Sequence, residues 1–319
     1  MAVVFGLVNF IVLFSCLVNT CFGQNDRPII GVMSQETHDS LVKFGPSVVV
    51  ASYVKYLESG GARVVLVKIN QSHDYYIKLF NSLNGLLLPG GDQLDVLASG
   101  YGKAAKIFFD MSIEGMKKNG DYFPIWGTCE GHQLLASLAA GKDILISGID
   151  AENLALPLEL TSDFVESRIF DVLTTSGFVF KAMTTENSTY NAHHFGVTMK
   201  NLTTFGIDKF FRVTSVNKDR KGVEFISTME AFEYPIYGVQ WHPEKNIFEW
   251  NPHADSAIPH STAAVSVAQH TANFFVREAR KSTHKFSSED EASKYLVYNN
   301  QAVYIADAAS FEQGYFLDV

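Results

Sequence analysis

Trp126-Gly127-Thr128-Cys129-Glu130-Gly131-His132-Gln133 is the stretch on which the reading of this chain turns. Pro124-Ile125-Trp126-Gly127 reads as a buried strand, and Leu134 to Ala140 as a helix ending at Gly141. A cysteine between strand and helix, with glycines two before and two after, has the pattern of a nucleophile elbow. So tight a turn leaves room only for small residues at those two positions. It lifts the side chain above the sheet edge, and the N-terminus of the following helix favours a thiolate there.

Upstream, strand and helix signals alternate. Pro28 to Met33, Arg63 to Val67 and Gly85 to Leu88 are short apolar runs. Ser47 to Glu58 reads as a helix with Val50, Tyr53, Val54 and Leu57 at helical spacing, ended at Gly60-Gly61. Asp74 to Asn81 and Tyr101 to Lys117 read as further helices. Continuous apolar strands alternating with helices imply an α/β fold, a three-layer sandwich around a mostly parallel sheet. Downstream, Val223 to Met229 and Ile236 to Gln240 read as strands joined at Tyr234-Pro235. Ser261 to Ala279 reads as a helix, and the acidic run Ser287 to Glu291 as a solvated loop or helix start. With no repeat or linker in view, residues 24–319 are expected to form one domain.

A thiolate needs a base. His242, in Gly238-Val239-Gln240-Trp241-His242-Pro243-Glu244-Lys245, follows a strand and so falls at a carboxyl sheet edge, where open α/β sheets place their sites. Pro243 restricts it to an extended backbone, and Glu244 can orient the imidazole. Leu88-Pro89-Gly90-Gly91-Asp92 also leaves a buried strand. The N–H groups of Gly91 and Glu130 are candidates for an oxyanion hole.

The 319 residues carry 25 Lys+Arg against 34 Asp+Glu, a net charge of −9. No basic surface of the kind a nucleic-acid partner needs is indicated. Ala2 to Val18 is almost wholly apolar, and Cys21-Phe22-Gly23 offers small residues for a signal-peptidase site. Residues 1–23 are therefore expected to be a cleaved signal peptide; the competing reading is an uncleaved anchor, with an apolar stretch near the lower limit for a span. No other stretch is long and apolar enough to suggest a membrane segment after cleavage. Cleavage removes Cys16 and Cys21 and leaves Cys129 alone. In a secreted chain, a lone cysteine is an inert buried residue, an intermolecular bridge or a reactive thiol. Asn70, Asn187 and Asn201 each begin an N-x-S/T triplet and become candidate glycan sites.

Gly127, Cys129, Gly131 and Gln133, together with His242-Pro243-Glu244, resemble the class I glutamine amidotransferase superfamily. Within it, Arg27 to Gly31, Ala51 to Glu58, Asp121 to Pro124, Phe225 to Glu230 and Tyr237 to Lys245 are most similar to the γ-glutamyl hydrolases, over nearly the whole mature chain. The resemblance implies a flavodoxin-like three-layer fold, Cys129 as nucleophile, His242 as base then acid, and Glu244 as its orienting carboxylate. It implies hydrolysis of γ-glutamyl amides such as folylpoly-γ-glutamates, no metal or organic cofactor, extracellular or lysosomal residence, and a possible homodimer. His193 matches a family histidine near the substrate; a surface-loop histidine is the other reading. Glu130, His132 and Gln133 stand where these hydrolases often carry an apolar residue, an aromatic and a glutamate. A carboxylate beside the nucleophile disfavours thiolate unless it points to solvent. Polyglutamate is polyanionic, so a basic rim is expected, with Arg168, Lys209 and Lys245 as candidates and Gln133 as a further substrate contact. The alternative activity is that of a glutaminase passing ammonia to a partner synthase.

Overall fold

The computed structural model describes residues 25–92, 95–171, 173–251 and 256–319. The leader, with Cys16, Cys21 and the expected cleavage point, lies outside the described residues.

Five parallel strands form one side of the main sheet: β1 (Ile29–Met33), β3 (Arg63–Val67), β4 (Leu86–Leu88), β5 (Ile125–Thr128) and β9 (Ile236–Val239). An antiparallel wing of β8 (Glu224–Ala231), β7 (Phe211–Lys218) and β6 (Glu159–Leu160) extends it, giving the order β3-β1-β4-β5-β9-β8-β7-β6. The parallel strands are apolar throughout because both faces are covered. Ile29 and Met33 join one core, with Val65 and Leu86; Ile30 and Val32 join the other, with Val64 and Leu87. That alternation is the period of two that a pleated strand imposes.

On the first face lie α2 (His73–Phe80), α3 (Gly100–Asn119) and α4 (Glu130–Ala140), through residues such as Phe80, Phe108 and Leu134. The second face carries α1 (Ala51–Ser59), α5 (Gly177–Thr185) and α6 (Thr262–Ala279), through Tyr53, Met183 and Phe275. The expected three layers are present.

The segment from Ser47 corrects the reading of one helix. Ser47–Val50 is a strand, β2, and the helix begins at Ala51. Its three consecutive valines suit a strand better than a helix. It pairs antiparallel with β10 (Gln313–Leu317), Val50 opposite Gly314. At the end of α1, Gly61 takes the positive φ, while Gly60 stays in the right-handed helical region.

Register sets the site. Thr128 pairs with Val239, and Leu88 with Gly127. Three loops, starting at Pro89, Cys129 and Gln240, therefore leave the sheet side by side.

Candidate active site

The elbow is strained as its sequence requires. Cys129 has φ 51° and ψ −107°, an unusual conformation for a residue with a side chain. Its N–H donates to the Val239 carbonyl at 2.8 Å, and its own carbonyl accepts from Gln133 N–H at 3.0 Å. The flanking glycines are sterically obligatory. A Cβ on Gly127 would lie 2.5 Å from the Gly131 backbone, and one on Gly131 would lie 2.1 Å from the Leu88 carbonyl oxygen.

His242 is buried, and its Nδ1 pairs with Glu244 Oε1 at 2.7 Å. Glu244 is fully enclosed. Burial alone would push the imidazole down. The Glu244 carboxylate and the Cys129 sulfur more than reverse this and hold it at about 10, with the sulfur as a hydrogen-bond partner. Gly90 shows how tightly the groups converge: a Cβ there would be 2.7 Å from His242 Cε1, 2.9 Å from the Tyr53 oxygen and 3.0 Å from Cys129 Cβ.

Tyr53 is a site residue that the sequence reading left in the core. Its hydroxyl accepts from Gly90 N–H at 2.8 Å and lies 3.4 Å from His242 Nδ1. Burial, then the charges of Glu244 and Cys129, raise its pKa well above the ordinary value, so it remains a neutral phenol. Because the hydroxyl occupies the Gly90 N–H, the next amide, Gly91, is the one left to consider for an oxyanion. Gly91 and Glu130 both line the cleft. Glu130 opens α4, where an N–H has no acceptor within the helix.

The Glu130 side chain does not point to solvent. It is 4% exposed, and Oε2 accepts from Gln35 Nε2 at 2.7 Å. Both groups close over Gly91, where a Cβ would come within 2.6 Å of Glu130 Oε2. Gln133 also lines the cleft, donating to the Phe195 carbonyl at 2.8 Å and to Gln240 Oε1 at 3.2 Å. Gln240 in turn donates to the Cys129 sulfur at 3.6 Å. Gln240 was also missed. Its signal is the period of two that puts it on the same side of the chain as His242.

His193 is a buried cleft residue, not a surface one. Its Nδ1 lies 2.8 Å from the Phe195 carbonyl oxygen and its Nε2 3.3 Å from Asn191 Oδ1. Burial pushes its pKa down to about 3, so the ring is neutral at physiological pH.

The cleft encloses about 560 Å³, within the ordinary range for a small-ligand site. The expected basic rim is not found among the described residues. Arg168 points elsewhere: its guanidinium lies over the Tyr237 ring, pairs with Glu230 at 3.7 Å and donates to the Tyr234 and Ala231 carbonyls. Lys209 sits exposed in a one-turn 3-10 helix, Ile207–Lys209, away from the cleft lining. Lys245 does line it, buried with its ammonium over the rings of Tyr190 and Phe311.

One wall comes from the far end of the chain. Ala309, Ser310 and Phe311 line the cleft just before β10. Glu249 accepts from Glu312 N–H at 2.7 Å, and Lys55 donates to Gln313 Oε1 at 2.7 Å.

Among the candidate glycan sites, Asn70 and Asn187 are exposed. Asn201 is not free in the same way, since its amide nitrogen donates to the Ile144 carbonyl at 2.6 Å.

Comparison with known proteins agrees with the resemblance read from the motifs. The Peptidase C26 family model matches residues 28–244. Gamma-glutamyl hydrolase of Homo sapiens is 43% identical over 294 residues, covering 92% of this chain and 90% of that protein. The Mus musculus protein of the same name is 42% identical with the same coverage. Gamma-glutamyl hydrolase B of Dictyostelium discoideum is 37% identical, covering 95% and 85%. Among solved structures, a glutamine amido transferase from Methylobacillus flagellatus aligns with TM-score 0.47 and 12% identity, over 83% of this chain and 100% of that one. A family model spanning more than half the chain, and relatives matched along almost all of it, place the elbow and its histidine in a known lineage: the chain belongs to the Peptidase C26 family.

Proposed function

We propose that the protein is a cysteine-dependent γ-glutamyl hydrolase. The observation that carries this is the convergence of Cys129 and His242 in one cleft at the sheet edge, with the imidazole fixed by a 2.7 Å bond from Nδ1 to the enclosed Glu244. Glu244 holds Nδ1 and leaves Nε2 for the sulfur. The Cys129 thiolate adds to the γ-carbonyl carbon, and the carbonyl electrons move onto oxygen, facing the N–H groups of Gly91 and Glu130. The C–N bond then breaks as His242 gives its proton to the leaving nitrogen. A thioester remains. Water loses a proton to His242 and adds to the thioester carbon, and collapse returns the thiolate and a free γ-carboxylate. Glu244 keeps the ring oriented throughout, and Tyr53 keeps the Gly90 loop against the imidazole.

The relatives' name, gamma-glutamyl hydrolase, supports the bond cleaved. The same reading sends the chain through the secretory pathway, supported by the apolar leader Ala2 to Val18 and by exposed Asn70 and Asn187.

The test is turnover of γ-glutamyl p-nitroanilide beside ammonia release from glutamine, with wild type and Cys129→Ala. Hydrolysis of the anilide that is abolished in the folded alanine variant is the expected result. Ammonia release from glutamine alone would mark a glutaminase instead. Unchanged activity in Cys129→Ala overturns the thiol mechanism.

A further inference from the structure

The turn that follows His242 also holds the far end of the chain. After Glu244 comes the one-turn helix Lys245–Phe248. Phe248 N–H donates to the Glu244 carbonyl at 3.3 Å, and Glu249 N–H to the Lys245 carbonyl at 3.1 Å, so the backbone at Glu249 is tied to the residue that orients the imidazole. From this turn, side chains reach the segment that walls the cleft. Glu249 Oε2 accepts from Glu312 N–H at 2.7 Å. Asn251 Nδ2 donates to the Ala306 carbonyl at 3.1 Å and to the Ala309 carbonyl at 3.3 Å. The Lys245 ammonium lies 4.8 Å from the centre of the Phe311 ring. Ser40, another cleft residue, donates to the Ala308 carbonyl.

Glu249 is the enclosed member of this set that the chemistry leaves unused. It is 1% exposed. Burial raises its pKa to about 7, against the pull of Glu312 N–H and of the Lys245 charge. Enclosing a carboxyl is costly unless its hydrogen bond is kept. Removing it would leave Glu312 N–H facing a buried site with no acceptor.

The hydrogen-bond partners of Cys129 and His242 come from other segments, namely Gln240, Tyr53 and Glu244. Displacing residues 309–311 therefore removes surface that a bound substrate meets and leaves thiol and base in place. A contact made equally in the bound substrate and in the transition state changes KM and leaves kcat alone. We propose that Glu249 is a positioning residue: through Glu312 it seats Ala309-Ser310-Phe311 as a substrate-binding wall, and so sets affinity rather than the rate of bond breaking. The inference rests on the γ-glutamyl hydrolase reading.

The experiment follows hydrolysis of γ-glutamyl p-nitroanilide, with alkylation of Cys129 by iodoacetamide as the measure of an intact elbow. Glu249→Leu removes the acceptor at similar size. It is expected to raise KM roughly fivefold or more, the scale of a buried donor left unmet, with kcat changed by less than about threefold and alkylation at the wild-type rate. Glu249→Gln keeps an acceptor for Glu312 N–H and should recover most of the loss. Asn251→Ala loosens the same segment at Ala306 and Ala309 and should raise KM in the same sense; it decides the matter if Glu249→Leu does not fold. An unmoved KM overturns the proposal. So does a fall in kcat with slowed alkylation, which would place Glu249 in support of the catalytic groups themselves. Glu249→Gln no better than Glu249→Leu would put the effect on charge and overturn the role of the bond. If the wild-type protein does not cleave the anilide, the hydrolase reading fails and takes this inference with it.

Discussion

Gln240 Nε2 donates to the Cys129 sulfur across 3.6 Å, while the other end of the same amide accepts from Gln133. The nucleophile is therefore held by a side-chain chain as well as by its strained backbone. A hydrogen bond to a charged group contributes roughly 1.5–3 kcal/mol. Gln240→Leu is expected to slow alkylation of Cys129 by iodoacetamide roughly tenfold to a hundredfold, on the same energy scale. Equal alkylation rates in wild type and variant would show that this contact does not stabilise the thiolate.

The His242–Glu244 pair sets a pH dependence. With its pKa raised to about 10, the imidazole keeps its proton through neutral pH. The pairing contributes stability that is complete below the ordinary histidine value and is lost as pH rises through about 10. His242→Asn is expected to lower kcat at least about 10²-fold. Glu244→Gln should cost less and should move the alkaline limb of kcat/KM to lower pH, because the charge that raises the imidazole is gone. A pH–rate profile checks both; an unmoved limb would mean that Glu244 does not set the histidine's protonation.

His132 lies fully buried beneath the elbow, wedged against Gly238. Burial, partly offset by the Gly238 backbone, pushes its pKa from 6.5 down to about 4. The unfolded chain then binds a proton in acid that the folded chain refuses. Stability present above the ordinary histidine value is lost as pH falls toward 4, by on the order of 3 kcal/mol. His132→Phe should flatten this acid loss when urea unfolding is compared at neutral and acid pH. Parallel stability profiles for the two proteins would assign the loss to other groups, His193 first among them.

The candidate glycan sites separate by exposure, with Asn70 and Asn187 exposed and Asn201 half-buried. Asn70→Gln and Asn187→Gln are each expected to reduce the mobility shift seen on deglycosylation of protein from a secreting animal host. Asn201→Gln should leave the shift unchanged, since its half-buried amide nitrogen is held by the Ile144 carbonyl. Intact-mass analysis of the three variants decides the matter, and a glycan on Asn201 would show that this contact forms otherwise.

The parallel half of the sheet was legible because its strands are buried on both faces. Pro28 to Met33, Arg63 to Val67, Gly85 to Leu88 and Pro124 to Gly127 read as strands without any partner being known, each within one residue of the strand observed. The nucleophile and histidine were legible because their turns demand glycine and proline at fixed offsets. β2 and β10 were not, since they pair with each other across more than 260 residues, their local partners Gln35–Glu36 and Val303–Tyr304 are only two residues long, and periodicity carries no pairing information. β7 was passed over as well: its run Phe211 to Lys218 alternates weakly, with Thr214 and Ser215 buried alongside Val213. Arg168 was misassigned because a positive charge near a sheet says nothing of which edge it serves; Glu230 and Tyr237 draw it to a different part of the sheet.

The pairing of β10 with β2 also bears on how the site is assembled. Residues 309–311, which wall the cleft, and 313–317, which brace the strand leading into Tyr53's helix, lie far along the chain from the elbow. The main sheet pairs its strands without this segment, but the pocket has its full boundary only where the segment is docked. Loosening β10 from β2 would leave the thiol on its turn and open the binding site around it.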